Sequence, residues 1–411
     1  MAGIGFWLCA AFIAYAYIGY PLLLALLVRV LGSRLLYGST SLSAIPFVTV
    51  LIAAYNEEDT IESKLENTLL LAYPRDKLQI LVAADGSSDR TVDIVRRYVE
   101  RGVELSYSPR RRGKMAAINH AMYRAQGEIV IFSDANNFFN SDVLWQLVRP
   151  FSNSEVGAVS GAKSIVSGDG GLGDSEGLYW RYESRIKEWE TRLGSCVSVN
   201  GEILAIRRCL FRSPPEHIIN DDCYFATDLI RRGYRVVYAA KAHSHERISA
   251  SARDEMHRRA RIFAGRFQLL AHIGRMLPVS QPFVAWKQIS HQYMRTFLPI
   301  AMLGTMLFNV TAAVWPSTAG GAISLAPPAN WVALVVQLGF YGSAAAGALI
   351  ETRSQGPLKL LYIPTFLLIS NVAGLMGMVG YLTGRETVMW KRARRLKAES
   401  LDVAAEAPRA A

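Results

Sequence analysis

The stretch from Glu128 to Asn136 combines a buried-strand pattern with side chains that can bind a cation. Residues 129–132 are apolar and mostly β-branched, which predicts a buried strand. Asp134 and Asn136 follow where that strand should end, and open α/β sheets bind ligands at this edge. Residues i and i+2 of an extended chain point to the same side, so a carboxylate and an amide oxygen can hold one hard divalent cation. The alternative is an Asx turn that only ends the strand.

Two more polar segments lie between predicted strands and helices. Asp85 ends the apolar run 79–84 and opens the segment DGSSD, and Lys114 ends the basic segment PRRRGK. Asp or Ser before a periodic run is the usual helix N-cap. A helix N-terminus at a strand end is also a site for anions and nucleotides, so both interpretations of DGSSD can hold together.

The elements that must position these residues alternate between strand and helix. Helices are predicted between the strands, one with an acidic first turn at 56–58, one over about 91–101, and one that contains Asn119. This alternation predicts βαβ units and a parallel sheet, an α/β fold of Rossmann-like type. The four predicted strands cover residues 47–53, 79–84, 103–107 and 128–132.

Four apolar blocks indicate a membrane protein with a large polar insert. Residues 4–28 carry no charge and are long enough to span a bilayer, and three further blocks lie at 297–315, 331–350 and 360–382. A cleavable signal peptide is the alternative for the first block. We disfavour it because no basic residue precedes the run, which is too long for a signal peptide.

The basic residues flank the apolar blocks. The 411-residue chain has a formal net charge of +11, a balance that nucleic-acid-binding proteins also show. Here Arg29 and Arg34 follow the first block, and a basic cluster at 391–397 follows the last. This distribution fits the positive-inside rule and anionic lipid, and it argues against nucleic acid as the partner. The four cysteines have no metal-ligand spacing and are expected to be free thiols.

Taken together, the motifs resemble those of the membrane-bound family-2 glycosyltransferases. One strand ends in AYNE, the next in DGSSD, a basic RRRGK loop follows, and the fourth strand ends in SDAN. Asn220, Asp221 and Asp222 then precede a helix that ends at RRGYR, before the strand VVY. This order is similar to that of hyaluronan, poly-N-acetylglucosamine and chitin-oligosaccharide synthases. The resemblance covers residues 47–268 and implies a GT-A type nucleotide-sugar-binding domain, inserted between transmembrane helices.

The resemblance implies a UDP-sugar donor, either a UDP-hexose or a UDP-N-acetylhexosamine. Asp85 is expected to accept a hydrogen bond from the uracil or the ribose, and Lys114 and Arg261 to lie near the diphosphate. The implied donor-binding residues are Ala54, Tyr55, Glu57, Asp85, Lys114, Asp134 and Arg261.

The resemblance also implies a metal. Asp134 and Asn136 match the Asp-x-Asp motif that binds Mg²⁺ or Mn²⁺ in this family, although the amide of Asn136 brings no charge. His243 and His245 are candidates for a further ligand. The alternative is that both are surface or interface histidines.

Asp222, with Asp221 before it, matches the general base of the family at the expected spacing from Gly233. Such a base takes the proton of the acceptor hydroxyl as that oxygen attacks the anomeric carbon. A single displacement of this kind converts an α-linked donor into a β-glycoside. The alternative for Asp221 and Asp222 is a helix cap.

The acceptor side resembles the family at an aromatic-rich amphipathic helix, residues 179–192, and at the segment 194–207. Trp180, Trp189 and Gly201 are the implied acceptor residues, because aromatic faces commonly stack on sugars. The alternative is a helix that rests on the membrane interface through its aromatic residues.

The chain departs from processive members at their Gln-x-x-Arg-Trp motif. Arg258 and Ile262 replace the Gln and the Trp, while Arg261 keeps the arginine. We therefore expect acceptor handling to differ and do not assume polymerisation.

These expectations describe an inverting enzyme of the bacterial inner membrane with its catalytic domain in the cytosol. It would extend a β-linked polysaccharide or a lipid-linked glycan, together with an export partner. The alternative is a non-catalytic scaffold or transporter subunit with a degenerate transferase domain, which Ala84, Asn136 and Ile262 favour. The predicted parts are an N-terminal transmembrane helix (1–32), the cytosolic glycosyltransferase domain (44–250), interfacial helices (251–292), C-terminal transmembrane segments (293–384) and a basic cytosolic tail (385–411).

The predicted orientation contains one conflict. Arg29 and Arg34 place the domain in the cytosol and the N-terminus outside, so three full C-terminal spans would leave the basic tail outside, against the positive-inside rule. The last block contains Pro364, Asn371 and several glycines. We expect this block to be a broken or re-entrant segment beside an exit path for the glycan, with the tail on the cytosolic side.

Overall fold

The structure is a computed structural model that describes residues 1–32, 44–165, 170–246, 252–317, 322–349 and 361–385. Arg34 and almost all of the predicted basic tail lie outside these residues.

The described residues form eight strands in one mixed sheet. The strands are β1 (Val48–Ala54), β2 (Leu78–Asp85), β3 (Val103–Ser108), β4 (Ile129–Asp134), β5 (Phe138–Phe139), β6 (Val156–Ile165), β7 (Leu204–Arg207) and β8 (Arg235–Glu246). Their order across the sheet is β3-β2-β1-β4-β7-β6-β8-β5. The half from β3 to β4 is parallel, which confirms the predicted βαβ units, whereas β7 is antiparallel to both β4 and β6.

The helices fall into a domain group and a membrane group. In chain order they are α1 (Ala2–Ala14), α2 (Tyr20–Leu31), α3 (Ile61–Leu69), α4 (Thr91–Arg97), α5 (Lys114–Met122), α6 (Val143–Val148), α7 (Gly170–Arg192), α8 (Asp221–Arg231), α9 (Ala252–Ala271), α10 (Ile273–Met276), α11 (Pro282–Gln288), α12 (Met294–Val314), α13 (Ala329–Leu349) and α14 (Tyr362–Leu382). Short 3-10 turns lie at Arg75–Lys77, Val99–Arg101, Arg149–Ser152, Gly201–Ile203, Arg208–Leu210 and Ala322–Ser324.

The sheet is buried on both faces, as the continuous apolar runs predict. All seven residues of β1 are buried. On one face Val50 and Ile52 belong to a core that includes residues of α3 and α4, and on the other face Leu51 packs with residues of α5 and α8. The parallel register pairs Ala54 with Ala84, and Ala53 with Asp134. The carboxyl ends of β1, β2 and β4 therefore meet at one edge, where the polar motifs begin.

Four helical stretches in the described residues are long and apolar enough to cross a membrane, and they make up the membrane group: Ala2–Leu31, Pro282–Val314, Ala329–Leu349 and Tyr362–Leu382. The first two each contain a π-helical turn, at Tyr15–Gly19 and Ile289–Tyr293. At these turns Tyr15 Oη hydrogen-bonds Ser290 Oγ at 2.8 Å. We call this end of the helix pair, next to the sheet domain, the domain end.

The opposite end of the pair is the distal end. There α1 and α12 pack closely, because a Cβ on Gly5 would lie 2.7 Å from the ring of Phe308. α13 begins at the distal end, where Asn330 Nδ2 donates to the carbonyl of Ala312 at 3.0 Å. It ends at the domain end, where Gly347 lies against the carbonyl of Leu361 just before α14.

The structure corrects the expectation that residues 360–382 are broken. α14 is one continuous helix, and Pro364 is its third residue, where its missing N–H removes no helical hydrogen bond. Asn371 Nδ2 donates to Leu367 O at 2.8 Å. The glycines allow close packing instead, since a Cβ on Gly374 would lie 2.7 Å from Pro299 Cγ.

Candidate active site

Lys114 lies at the centre of a charged group at the carboxyl edge of the sheet. Its Nζ is 2.8 Å from Asp134 Oδ1 and 3.5 Å from Asp221 Oδ2. Burial lowers the pKa of Lys114, but attraction to the two carboxylates outweighs burial and leaves the pKa above its ordinary value. The structure thus brings together three of the predicted residues, from β4, α5 and α8.

Asp85 orders the basic loop that precedes α5. The side chain is 1% exposed. Its Oδ1 accepts the backbone N–H of Arg112 at 2.8 Å, and its Oδ2 accepts that of Gly113 at 2.8 Å. This contact fixes the start of α5 and therefore the position of Lys114. A role of Asp85 toward uracil or ribose stays a prediction.

The same loop closes over the end of β1. The guanidinium of Arg111 lies over the ring of Tyr55, 3.7 Å from its centroid. Gly86 has φ +63°, and a Cβ there would lie 2.6 Å from Arg111 N, so this turn requires glycine. Tyr55 and Arg111 thus form an aromatic and cationic surface at the strand end.

The other two predicted residues of this strand end have structural contacts. Ala54 is buried as the last residue of β1. Glu57 is 8% exposed, its backbone N–H donates to Thr91 Oγ1 at 2.7 Å, and its carboxylate accepts from Thr60 Oγ1 at 2.9 Å. These bonds join the starts of α3 and α4.

Asp222 lies at the start of α8, one residue after Asp221. Burial and the charge of Asp221 raise the pKa of Asp222 from 3.8 to about 6. Its Oδ1 accepts the backbone N–H of Cys223 at 2.7 Å. A carboxylate with this pKa is ionised at neutral pH and remains basic enough to accept a proton, as a general base must.

Gly201 and Asn220 determine the position of this carboxylate. A Cβ on Gly201 would lie 3.0 Å from Asp222 Cβ and 3.3 Å from its Oδ2. Asn220 Nδ2 donates to the carbonyl of Ile262 on α9 at 2.8 Å, and a Cβ on Gly265 would lie 2.5 Å from Asn220 Cγ. The start of α8 is therefore packed against α9.

The predicted metal ligands lie at the end of β4. The side chain of Asp134 is 38% exposed, so its carboxylate is accessible to a cation. Within the described ranges, no three His, Cys, Asp or Glu residues cluster as a preformed metal site. The oxygen donors present, Asp134 and Asn136, fit a hard cation whose other ligands come from a diphosphate and water.

The histidine candidates lie on β8. His243 Nδ1 is 2.9 Å from Ser164 Oγ, and the rings of His243 and His245 stack with centroids 5.9 Å apart. Burial lowers the pKa of His243. The hydrogen bond to Ser164 engages one ring nitrogen of His243, and a role of either histidine as a further ligand stays a prediction.

A cavity of about 200 Å³ adjoins Asp222 on the side away from Lys114 and Asp134. Its polar wall comes from α7, α9 and the segment 198–202, and includes Trp180 and Glu202. Its apolar wall comes from the membrane group and includes Leu298 and Phe366. Asp222 therefore separates the charged group from a space that reaches the membrane helices.

Only part of the predicted acceptor set borders this cavity. Trp180 lines the cavity. Gly201 does not line it, but it contacts Asp222, which does. Trp189 packs against the cluster of Tyr20 and Leu24 on α2 instead. Trp189 therefore packs against a helix of the protein itself, and the alternative of a helix that rests on the membrane interface stays a prediction.

Arg261 is also not among the lining residues. Its neighbours Arg258 and Ile262 line the cavity, whereas Arg261 is half-buried on α9. Ile262 occupies the wall where processive members have Trp, so the departure seen in the sequence lies at the cavity itself.

A buried charged network joins the cavity wall to the membrane helices. His291 Nδ1 lies 2.7 Å from Glu190 Oε1, and its Nε2 lies 3.0 Å from Glu183 Oε2. Glu183 also pairs with Arg295, and Tyr20 Oη donates to Glu190 at 2.5 Å. Glu190 Oε2 accepts the backbone N–H of residue 197 at 3.0 Å. The loop before Gly201 is thus attached through Glu190 to α2 and to the π-helical turn Ile289–Tyr293.

Several residues of the site were not identified individually from the sequence. Arg111, Lys187 and Asn200 lie in segments that the sequence singles out, but nothing there separates them from their neighbours, and Arg266 lies in a charged stretch typical of a surface helix. Their role depends on contacts between elements far apart in the chain, which a periodic pattern does not report.

A comparison with protein families finds that residues 49–209 match the model described as Glycosyl transferase family 2. The poly-beta-1,6-N-acetyl-D-glucosamine synthase of Staphylococcus aureus (strain MSSA476) is 29% identical over 200 residues, covering 46% of this chain and 47% of that protein. The probable glycosyltransferase YdaM of Bacillus subtilis (strain 168) is 34% identical over 133 residues, covering 31% and 32%. The chain thus matches about half the length of the first relative and about a third of the second.

Among solved structures, the chain is similar to the mannosyltransferase PcManGT from Pyrobaculum calidifontis in complex with GDP-Man and Mn²⁺. The TM-score is 0.69 with 24% sequence identity, covering 94% of this chain and all (100%) of that chain. This similarity confirms the predicted fold, a domain of GT-A type flanked by apolar helices.

Proposed function

We propose that this chain, which carries a family-2 glycosyltransferase domain, is an inverting membrane glycosyltransferase. It transfers a hexose or N-acetylhexosamine from a UDP-sugar to a β-linked polysaccharide or a lipid-linked glycan. The supporting observation is the position of Asp222, a carboxylate with a pKa of about 6, between the Lys114 group and the cavity. The similarity to a poly-N-acetylglucosamine synthase favours this reaction class.

The chain's own residues divide the reaction between donor and acceptor. Lys114 holds the diphosphate, and Tyr55 and Arg111 contact the base. The acceptor hydroxyl lies in the cavity next to Asp222 and gives its proton to that carboxylate as its oxygen bonds to the anomeric carbon. The bond from that carbon to the β-phosphate oxygen breaks in the same step, and UDP leaves with the electron pair. Attack opposite the leaving group gives the β-glycoside.

Asp134, with Asn136, is the group that would hold Mg²⁺ or Mn²⁺. When bound, such a cation offsets the charge that develops on the leaving diphosphate.

The domain is proposed to face the cytosol, where nucleotide sugars are available, with the apolar helices in the bacterial inner membrane. Arg29 at the end of α2 agrees with this side. An export partner would take the glycan from the membrane group.

A donor screen on purified protein tests this proposal. UDP release and product mass are measured with UDP-glucose, UDP-N-acetylglucosamine and their epimers, with and without Mn²⁺. We expect one donor to give UDP release together with a product one sugar heavier per turnover. Absence of UDP release with every donor would instead support the non-catalytic scaffold.

A further inference from the structure

The cavity beside Asp222 contains more positive than negative side chains. Its lining includes three acidic residues and six basic ones. The acidic residues are Glu183, Glu202 and Asp222. The basic residues are Lys163, Lys187, Arg258, Arg259, Arg266 and Arg295.

Four of the six basic residues have a carboxylate partner. The pairs are Arg258 and Arg259 with Glu255, Arg295 with Glu183, and Lys163 with Glu246. Among the described residues, Lys187 and Arg266 have no carboxylate oxygen within 4.0 Å. The excess positive charge of the cavity therefore resides on these two side chains.

Lys187 is an unusual residue for the wall of a neutral sugar site. It is 2% exposed, and its Nζ donates to Asn200 Oδ1 at 2.7 Å. The remaining contacts are with aromatic faces, because Nζ lies 5.6 Å from the ring centroids of both Trp180 and Tyr238. Glu183 acts on Lys187 only at longer range than an ion pair. A buried ammonium with no carboxylate in contact is costly, so an anion that enters the cavity would be bound favourably.

Arg266 adds the geometry that an oxyanion requires. It projects from α9 into the same cavity, with its guanidinium 5.2 Å from the ring centroid of Phe263. The planar fork of a guanidinium donates two parallel hydrogen bonds to a phosphate. A neutral hexose offers no group of this kind.

The opposite wall of the cavity is suited to an apolar chain. Tyr17, Leu298, Phe366 and Leu367 line it, and they come from three of the four helices that are long enough to cross a membrane. The volume of about 200 Å³ is below the ~300–1,000 Å³ of typical ligand sites. It is therefore small for several sugar units and suits a compact headgroup.

We propose that this cavity binds the phosphate of a lipid-linked acceptor, with Lys187 and Arg266 as its cationic partners. The apolar chain leaves between α12 and α14, and the hydroxyl to be glycosylated lies at Asp222. The inference rests on the proposed function, because it names the acceptor class of that reaction. The donor diphosphate is a less suitable occupant, since Lys114 and Asp134 do not line this cavity.

Direct binding to the full chain in detergent tests the inference without requiring turnover. The probes are farnesyl phosphate, farnesol and inorganic phosphate. We expect farnesyl phosphate to bind about tenfold more tightly than either of the other two, because a hydrogen bond to a charged group is lost in farnesol and the apolar contact is lost in phosphate. Arg266→Gln and Lys187→Met should each weaken farnesyl phosphate about tenfold and leave farnesol unchanged.

The control is Arg97→Gln, which removes an exposed arginine at the end of α4 and should change nothing. Lys187 is buried, so Lys187→Met can prevent folding. Arg266 is only half-buried, so we expect Arg266→Gln to fold and to test the inference by itself.

Three results would overturn the inference. One is equal affinity for farnesol and farnesyl phosphate. Another is equal affinity for inorganic phosphate and farnesyl phosphate, which would indicate that the cavity binds a soluble phosphate compound and not a lipid. The third is an Arg266→Gln variant that keeps its farnesyl phosphate affinity while its KM for the donor rises. A chain that binds farnesyl phosphate as expected but releases no UDP would refute the proposed function alone.

Discussion

At the scale of single residues, the site depends on a difference between two adjacent carboxylates. Asp221 has a counter-charge in Lys114, at 3.5 Å. Asp222 lies in the cavity wall next to Gly201, and the charge of Asp221 raises its pKa further. Neighbouring residues of one helix turn are thereby suited to different tasks, Asp221 to holding Lys114 and Asp222 to accepting a proton.

We expect Asp222→Asn to reduce transfer by about 10²- to 10⁴-fold, the usual contribution of a general base, while the Kd for UDP stays the same. Single-turnover transfer and UDP binding measure the two effects. Glu155→Gln is a control, since that exposed carboxylate lies at the far side of the sheet domain. Turnover close to that of the wild type would remove Asp222 from the role.

The pH dependence follows from the same residue. Only ionised Asp222 can accept the proton, so kcat/KM should rise with pH up to about 6 and then level off. The folded-state pKa is raised, so the stability that protonated Asp222 contributes is lost as pH rises through about 6. Asp222→Asn should therefore unfold at a higher temperature than the wild type at pH 8. A flat pH–rate profile between pH 5 and 7 would contradict this assignment.

If Asn136 is a ligand as proposed, its substitution should change the affinity for the metal. Asn136→Asp adds a second carboxylate and should lower the Mn²⁺ concentration that gives half-maximal activity, because cation affinity grows with ligand charge. Asp134→Asn should raise that concentration. Metal titrations of the initial rate measure both changes, and full activity of the wild type in excess chelator would refute the metal site.

At the scale of secondary structure elements, the sequence predicts the parallel half of the sheet well. The runs at 47–53, 79–84 and 128–132 correspond to β1, β2 and β4 within one or two residues. β7 was not predicted, because a four-residue antiparallel strand carries too little pattern to separate it from a loop. β6 has ten residues but was also not predicted, because glycine, alanine and serine interrupt its β-branched pattern. Likewise, glycine in an apolar run does not reveal whether it breaks a helix or admits a neighbour. In α14 it admits α9, with Gly377 against the carbonyl of Ala260.

The contact between α8 and α9 gives an element-scale prediction. Gly265→Ala places a methyl group 2.5 Å from Asn220 Cγ. The Asn220 side chain must shift, which disturbs its hydrogen bond to Ile262 O and so the contact that joins the start of α8 to α9. A shift of about 1 Å at a catalytic group can reduce the rate about 10²-fold. We expect a lower kcat with an unchanged KM for the donor.

The matched control is Gly274→Ala in α10, where a Cβ meets no atom within 4 Å. Equal kcat values for Gly265→Ala and the wild type would show that this contact does not position Asp222.

At the scale of the whole molecule, the contacts of α14 bear on the conflict in orientation. Its partners all lie at the domain end: Thr365 Oγ1 donates to Ala344 O at 2.8 Å, Arg259 Nη1 donates to Ser370 Oγ at 3.0 Å, and Gly374 faces Pro299. A helix that crossed the bilayer would also meet the distal ends of α1 and α12. α14 thus lies along α9 at the domain end. We expect it not to cross the membrane, so that residues after 397 lie on the same side as the sheet domain.

Cysteine accessibility tests this arrangement. In a background without native cysteines, a cysteine placed after residue 397 should react with an impermeant maleimide only after the cells are permeabilised. Ala2→Cys in this background is the control for the outer side. A variant that keeps Cys209, exposed in the sheet domain, as its only cysteine is the control for the inner side. Labelling of the tail in intact cells would establish a fourth crossing.

The ion pair between Lys114 and Asp134 also has a kinetic consequence. Without a nucleotide, Lys114 would compete with a divalent cation for the Asp134 carboxylate, and Asp221 would be the other carboxylate partner of Lys114. A nucleotide diphosphate bound together with the cation would offer Lys114 a new anion. We therefore expect compulsory order, in which the cation and the sugar nucleotide enter as one complex and the free cation occupies the enzyme only at far higher concentration.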